Sequence, residues 1–164
     1  IEYFNQHPEV KLIIAPHVID ENHLVEIIRK LKRPYVRYTR ANEKNVRKAD
    51  CLIIDCFGLL SSIYRYGEIA YIGGGFGVGI HNTLEAAVYG IPVIFGPKYQ
   101  KFQEAIQLLE AKGAFSVKDY EELKTLLDRM LTDEVFLRES GMNASNYLTS
   151  NAGATDKIMS MINF

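Results

Sequence analysis

"YIGGGFGVGIHNTLEAAVYGIPVIFGP" (residues 71–97) combines two apolar stretches with a glycine-rich turn and a helical pattern. Five of the seven positions from Gly73 to Gly79 are glycine. A helix-like run follows immediately, and the second apolar stretch ends in Gly96-Pro97. In parallel α/β sheets, ligands bind in the turns that follow the carboxyl ends of the strands. The stretch therefore indicates an α/β fold with a candidate ligand-binding turn at residues 73–79.

The glycine-rich turn does not match either common phosphate-binding template. The dinucleotide fingerprint G-x-G-x-x-G would need glycine at position 78 or 80, which are Val78 and Ile80. A P-loop would need Lys after Gly79, and Ile80 stands there. The turn thus has the composition of a phosphate-binding loop without either spacing.

Short apolar runs alternate with helical patterns along the chain. The predicted strands are VKLIIA (10–15), PYVRYT (34–39), CLIID (51–55), IAYIGG (69–74), PVIFG (92–96) and AFSV (114–117). The predicted helices cover residues 21–32, 42–48, 59–67, 82–90, 101–112, 119–131, 133–149 and 153–162. Several strands are almost continuously apolar, as is usual where both faces of a parallel sheet are covered. The alternation predicts a Rossmann-like, doubly wound α/β fold with a single parallel sheet of about six strands and helices on both faces.

The composition is that of one globular domain. The 164 residues are 48% hydrophobic with a formal net charge of −1, and we treat residues 1–164 as a single domain. No apolar run approaches the roughly 18 residues that a membrane-spanning helix needs. Ile1 begins within a helical pattern, so we expect the chain to be part of a longer protein. The near-neutral charge argues against a general nucleic-acid-binding protein.

The cysteines and histidines do not form a metal-binding pattern. Cys51 and Cys56 lie five positions apart around one predicted strand end, which favours neither a metal site nor a mutual disulfide. The four histidines form no ligand pair at helical spacing. We therefore expect no metal site and a reducing, cytosolic compartment.

Positive charge is concentrated between Arg29 and Lys48. This basic segment contains nine Lys or Arg residues and a single acidic residue, Glu43. It could be an ordinary solvated face. Alternatively, it could attract an anionic partner such as a phosphorylated lipid or a membrane leaflet.

The residues after the glycine-rich turn have both a structural and a functional interpretation. Asn82-Thr83-Leu84-Glu85 has the pattern of a capping box, with Asn82 as N-cap and Glu85 at the third helical position. A glycine-rich turn entering a helix also leaves backbone N–H groups that attract an anion. His81 could then donate to a phosphate, and the Glu85 carboxylate could accept from two ribose hydroxyls. The two interpretations remain open at this point.

The same stretch resembles the 3-deoxy-D-manno-octulosonic acid (Kdo) transferases, which move Kdo from its CMP ester onto lipid A precursors. Their motif runs approximately Gly-Gly-Ser-Leu, a short basic or glycine stretch, Gly-His-Asn-x-Leu-Glu-Pro-Ala, and later Gly-x-Pro-Val-x-x-Gly-Pro. The residues in matching places are Gly73, Gly74, His81, Asn82, Leu84, Glu85, Ala87, Gly90, Pro92, Val93, Gly96 and Pro97. Two further segments are similar: Ala15-Pro16-His17, where the family has Ala-Pro-Arg, and Asp55-Cys56-Phe57-Gly58-Leu59-Leu60, where it has Asp-Thr-x-Gly-Glu-Leu.

The resemblance implies the C-terminal, nucleotide-sugar-binding half of a GT-B glycosyltransferase. Such an inverting enzyme transfers Kdo from CMP-Kdo to a lipid A precursor in lipopolysaccharide biosynthesis, at the cytoplasmic face of the inner membrane of a Gram-negative bacterium. The acceptor site and the catalytic carboxylate would then lie in a preceding domain. We therefore expect no catalytic residue in this chain, no cofactor, and no sugar transfer by the chain alone.

The resemblance also implies which residues contact the nucleotide sugar. These are Pro16, His17, Phe57, Gly58, Leu59, Gly74, Gly75, His81, Asn82 and Glu85. His17 stands where the family has an arginine, so the phosphate contact of that arginine would have to be made by a histidine in this chain. Cys56 and Leu59 replace Thr and Glu, so polar contacts at that turn must come from the backbone.

Two alternative functions remain. Other GT-B nucleotide-sugar enzymes, a UDP-sugar transferase or an epimerase, share the ending Glu-Ala-x-x-x-Gly-x-Pro-Val, here residues 85–93. Retaining members often carry a second glutamate eight residues earlier, where this chain has Gly77. A non-catalytic domain that binds an anionic surface through the basic segment is the other alternative. Binding of CMP, compared with UDP or a lipid surface, distinguishes the three.

Overall fold

The computed structural model describes residues 1–77 and 79–152, in which short parallel strands alternate with helices. The chain divides into two compact units, unit 1 (Ile1–Ile63) and unit 2 (Tyr64–Phe164). The helix predicted over 153–162 lies outside the described residues. None of the helices within the described residues has the length and apolar character to cross a bilayer.

The elements follow the predicted order in both units. Unit 1 contains α1 (Glu2–Gln6), β1 (Leu12–Ile14), α2 (Glu21–Lys30), β2 (Tyr35–Arg37), α3 (Glu43–Val46), β3 (Cys51–Ile53) and α4 (Leu60–Ile63). Unit 2 contains β4 (Ala70–Tyr71), α5 (Leu84–Ala87), β5 (Val93–Phe95), α6 (Gln103–Glu110), β6 (Ala114–Ser116), α7 (Tyr120–Thr132) and α8 (Glu134–Asn151). Short 3₁₀ helices cover Tyr38–Arg40 and Tyr64–Tyr66. All six predicted strands are therefore present.

The strands form two three-stranded parallel sheets rather than the expected single sheet of six. In unit 1 the order is β1-β3-β2, with Cys51 level with both Leu12 and Tyr35. In unit 2 the order is β4-β5-β6, with Val93 level with Ala70 and Ala114. An apolar run predicts a strand but not its neighbours, so the number of strands in each sheet does not follow from the sequence pattern. The α/β class with parallel strands is confirmed.

The core of unit 1 lies between its sheet and helices α1 and α2. Phe4, Leu24, Ile27, Cys51 and Ile53 form one buried cluster. Helix α2 begins after Asp20, whose carboxylate accepts the His23 N–H and thereby caps the first turn. Its buried residues Leu24 and Ile27 are three positions apart, which places both on the helix face that contacts the sheet.

In unit 2 the central strand β5 is buried on both faces. Val93, Ile94 and Phe95 are all fully buried. Val93 and Phe95 belong to a cluster with residues of α5, α6 and α8, and Ile94 packs with Val117 and Met130 on the other face. Since successive side chains of a strand point to opposite faces, a continuous apolar run such as PVIFG is what a strand between two helical layers requires.

Arg33, within the basic segment, is an internal anchor of unit 1. Its guanidinium donates hydrogen bonds of 2.7–3.0 Å to the backbone carbonyls of Phe4, His7, Pro8 and Val10. It also lies 4.0 Å from the centre of the Phe4 ring. Arg33 therefore stabilises the connection between α1 and β1, and it is not a surface charge available to a partner.

Candidate functional site

The glycine-rich turn after β4 folds back on itself. The Gly75 N–H donates to the Gly79 carbonyl at 2.7 Å, and the His81 N–H donates to the Gly73 carbonyl at 3.2 Å. Gly74 and Ile80 form an antiparallel bridge between these two hydrogen bonds. The turn is thus a closed hairpin that places His81 beside its first residue.

The fold itself requires two of the predicted site glycines. Gly74 and Gly75 have φ angles of +91° and +80°, which favour glycine. A Cβ atom would lie 2.2 Å from the Gly79 carbonyl oxygen at Gly74, and 2.7 Å from the Gly96 Cα at Gly75. The Gly75 carbonyl also accepts the Lys98 N–H at 2.8 Å. These contacts hold the hairpin against the end of β5, whether or not a phosphate binds there.

The beginning of α5 differs from the predicted capping box. Helix α5 covers only Leu84–Ala87, so its N-cap is Thr83, not Asn82. The Asn82 Oδ1 accepts the Leu84 N–H at 3.0 Å, and its Nδ2 donates to Glu85 Oε1 at 3.0 Å. The helix is therefore shorter than the predicted 82–90, and Gly90, with a φ of +68°, lets the chain turn into β5. Asn82 and Glu85 are therefore in contact as predicted, but through a hydrogen bond between their side chains and not through the backbone N–H groups of a capping box.

Tyr64 is a neighbour of Glu85 that the sequence did not suggest. It packs against the main buried cluster of unit 2. Burial raises the pKa of its hydroxyl, and the negative charge of Glu85 raises it further. Tyr64 therefore remains neutral near Glu85 at any physiological pH.

In unit 1, the predicted site residues lie in two turns at the carboxyl ends of the strands. Pro16 and His17 follow β1, and Phe57, Gly58 and Leu59 follow β3. Because β1 and β3 are adjacent and parallel, their carboxyl ends lie side by side. In the first turn, Pro16 is half-buried and His17 is exposed. In the second turn, Phe57 is 82% exposed and Gly58 has a φ of +86°. The Leu59 carbonyl accepts N–H groups of α4.

A buried charge network at the same ends of the strands was missed by the sequence prediction. Asp55, directly before the second turn, has a side chain that is only 1% exposed. Its carboxylate accepts the Thr39 hydroxyl at 2.6 Å, the Thr39 N–H at 2.9 Å and the Arg37 Nε–H at 2.8 Å. Arg37 also donates to both carboxylate oxygens of Glu21, at 2.8 and 2.9 Å. The sequence does place an acidic residue directly after the apolar run CLII, and a carboxylate buried there needs hydrogen-bond or ion-pair partners.

The surroundings of Asp55 keep it charged. Burial acts to raise the pKa of its carboxyl, but the hydrogen bonds from Thr39 and Arg37 outweigh burial and lower the pKa to about 2. The same bonds raise the pKa of Arg37 above its already high value. Asp55 and Arg37 are therefore a permanent ion pair with structural rather than acid–base chemistry.

Comparisons with known proteins extend over both units. No protein-family model matches the chain. The 3-deoxy-D-manno-octulosonic acid transferase of Aquifex aeolicus is 38% identical over 125 residues, which are 75% of this chain and 34% of that protein. The enzyme of the same name from Chlamydia muridarum is 27% identical over 157 residues, 94% of this chain and 36% of that protein. The chain thus spans about a third of the length of these curated relatives.

A solved structure shares the fold. The C-terminal CMP-Kdo binding domain of WaaA from Acinetobacter baumannii matches with a TM-score of 0.76 and 20% sequence identity, over 90% of this chain and 78% of that one. At this level of identity the match establishes the architecture, including the Rossmann-like class. The similarity in sequence shows that the chain belongs to the 3-deoxy-D-manno-octulosonic acid transferase family, and its fold is that of the C-terminal domain of WaaA.

Proposed function

We propose that residues 1–164 are a single CMP-sugar-binding domain of an inverting glycosyltransferase, which moves Kdo from CMP-Kdo onto a lipid A precursor. The sequence similarity to two bacterial Kdo transferases supports the reaction. The fold it shares with a domain described as CMP-Kdo binding supports the donor. Catalysis and acceptor binding are assigned to the part of the relatives that this chain does not span.

The observation that carries the proposal is the arrangement of Glu85. In the part of the chain that the structure describes, side-chain hydrogen bonds to this carboxylate use Oε1 alone, from Asn82. The other oxygen is then able to accept from a ribose hydroxyl, and the charge makes that hydrogen bond a strong one. His81, Gly74 and Gly75 are assigned to the donor phosphate, with the His81 side chain as the hydrogen-bond donor, since the Gly75 N–H already donates to the Gly79 carbonyl.

The contacts predicted in the two turns of unit 1 are a separate part of the proposal. The Phe57 ring is large, apolar and almost fully exposed, which suits contact with the flat face of a cytosine. Pro16 and His17 complete the contacts after β1, while Gly58 and Leu59 offer backbone groups. Since neither Cys56 nor Leu59 carries a strongly polar side chain, polar recognition at this turn comes from the backbone.

The location proposed for the enzyme is the cytoplasmic face of the inner membrane of a Gram-negative bacterium, with an anionic membrane surface as a further partner. Seven of the nine cations in the basic segment are exposed: Arg29, Lys30, Lys32, Arg40, Lys44, Arg47 and Lys48. Each exposed cation near an anionic leaflet contributes about 1 kcal/mol of attraction. Arg33 and Arg37 are excluded from this surface by their internal hydrogen bonds.

Glu85→Gln tests the proposed function. A glutamine can still accept the hydrogen bond from Asn82, so thermal stability should stay near that of the wild type. A charge-assisted bond to ribose is worth on the order of 1.5 to 3 kcal/mol, so CMP affinity should fall about tenfold or more in calorimetry. Binding of 2′,3′-dideoxy-CMP should change much less, because the partner hydroxyls are absent.

The matched control is Glu104→Gln. Like Glu85, Glu104 is half-buried in the first turn of a helix and raises the pKa of a nearby tyrosine, here Tyr147. CMP affinity should be unchanged in this variant. Equal CMP affinity in Glu85→Gln and wild type would remove Glu85 from the site, and tighter binding of UDP than of CMP would point to another nucleotide-sugar enzyme.

A further inference from the structure

Arg37 connects the two turns of unit 1 that carry predicted nucleotide contacts. It is the last residue of β2, and its side chain is only 12% exposed. The guanidinium Nε–H donates to Asp55 at 2.8 Å, and Nη1 donates to both oxygens of Glu21 at 2.8 and 2.9 Å. One planar group thus holds carboxylates from two different segments.

Each carboxylate lies next to a different turn. Glu21 is the first residue of α2 and directly follows the turn that begins at Pro16 and His17. Asp55 directly precedes the turn of Phe57, Gly58 and Leu59. Asp55 is also held by the hydroxyl and the N–H of Thr39, so the orientation of its carboxylate is determined by three donors.

We propose that Arg37 is a positioning residue for the donor site, which holds the Pro16–His17 turn and the Phe57–Leu59 turn in the arrangement that binds the nucleotide. This inference rests on the proposed function. Turns that are already arranged before binding lose less conformational entropy when the ligand arrives, so fixing them raises affinity without any added contact. A lysine cannot replace the arginine, because its single ammonium lacks the planar fork that reaches both carboxylates.

Glu21→Gln is the variant that separates positioning from stability. The Glu21 side chain is 64% exposed, and exposed ion pairs contribute little to folding. The variant weakens one arm of the connection and leaves the buried Arg37–Asp55 pair intact. We expect a thermal unfolding midpoint close to that of the control and a Kd for CMP raised about threefold, which corresponds to about 0.65 kcal/mol.

Glu26→Gln is the matched control. Glu26 lies on the same helix, its side chain is 68% exposed, and its carboxylate lies 3.9 Å from His23 Nδ1. The control should bind CMP as the wild type does. Arg37→Lys, which removes the fork and keeps the charge, should raise the Kd for CMP at least tenfold.

NMR of the free protein shows whether the loss of the Glu21 carboxylate reaches the Phe57–Leu59 turn. If Glu21 acted only on its own helix, the amide signals of that turn would not change. Without CMP, the backbone amide signals of Phe57 and Gly58 should shift in Glu21→Gln and stay in place in Glu26→Gln. Unchanged amide signals and unchanged CMP affinity in Glu21→Gln overturn the inference even if Arg37→Lys fails to fold. A wild-type chain that binds no CMP overturns the proposed function and the positioning role together, whereas wild-type binding with equal affinity in all variants overturns positioning alone.

Discussion

Asp55 shows what a buried charge demands of its neighbours. Three donors converge on one carboxylate: one from Arg37 at the end of β2 and two from Thr39 in the 3₁₀ helix that follows. Leaving such a group without partners would cost several kcal/mol, so the surrounding residues are constrained by the charge. The residue holds the ends of β2 and β3 together in the folded state.

At the residue scale we predict an acid-dependent loss of stability that depends on Asp55. Its pKa is about 2 in the folded protein and near 3.8 in the unfolded chain, so the unfolded state binds the proton first as the pH falls. The stabilisation is fully present above about pH 4, is lost progressively towards about pH 2, and amounts to on the order of 2 kcal/mol. Urea denaturation at a series of pH values measures it.

Asp55→Asn should be less stable than the wild type at pH 7 and should lack this part of the pH dependence. Asp128→Asn serves as the control, because the Lys124–Asp128 pair lies partly exposed on α7, where ion pairs contribute little. A wild-type profile that is flat between about pH 4 and pH 2, or one that matches Asp55→Asn, would contradict the prediction.

At the scale of elements, the glycine-rich hairpin contains two kinds of glycine. Gly75 lies against the backbone of Gly96 with a positive φ, whereas a Cβ at Gly77 would have no heavy atom of the described residues within 4 Å, its chain neighbours aside. Gly75→Ala combines backbone strain with a backbone clash and should destabilise the protein by about 3 kcal/mol or more. Gly77→Ala should change the free energy of unfolding by less than about 0.5 kcal/mol.

Chemical denaturation of the two alanine variants checks this prediction. A similar, large loss of stability in both variants would mean that Gly77 also meets a close neighbour. Similar, small losses would mean that the Gly75–Gly96 contact is readily relaxed.

The elements themselves were largely predictable, and their pairing was not. Apolar runs such as CLIID and PVIFG predict strands, because burial on both faces selects for continuous apolar side chains. The division into two sheets depends on which distant strands pair, and the apolar pattern of a strand does not specify its partners. The N-cap of α5 was predicted one residue early, because Asn82 bonds to the Leu84 N–H and to the Glu85 side chain instead of to the Glu85 N–H.

The candidate site was predictable to the extent that its residues follow strands. Pro16 and Phe57 lie in turns after β1 and β3, and Glu85 lies in the first turn of α5, the helix that follows β4; the alternation of elements predicts ligand-binding residues at these places. The role of Arg37 was not visible, because a cation within a basic segment is indistinguishable by sequence from its exposed neighbours. Only the positions of Glu21 and Asp55 in space identify its partners.

At the scale of the whole molecule, the exposed part of the basic segment predicts attraction to anionic membranes. Reversing the charge at Arg40, Lys44 and Arg47, all exposed, should weaken binding to vesicles that contain anionic lipid. The difference should shrink as salt is added, because exposed charges are screened within about 8 to 10 Å at physiological ionic strength. Vesicle co-sedimentation at several salt concentrations measures it.

Reversal at Lys98, Lys101 and Arg138, three exposed cations of unit 2, is the control with the same change in net charge. If both triple variants lose vesicle binding equally, net charge alone is responsible. If neither does, the basic segment is an ordinary solvated face. Arg33 and Arg37 are unsuitable for this test, because their reversal would break the internal hydrogen bonds described above.

The four carbonyls held by Arg33 set an order of events during synthesis. Phe4, His7, Pro8 and Val10 leave the ribosome well before the arginine that binds them. The connection between α1 and β1 cannot make these hydrogen bonds, and its carbonyls stay hydrated, until residue 33 has also left the ribosome. A pause in translation after residue 33 has emerged from the exit tunnel would therefore give this part of the protein time to close, whereas an earlier pause would leave the same residues open to proteases.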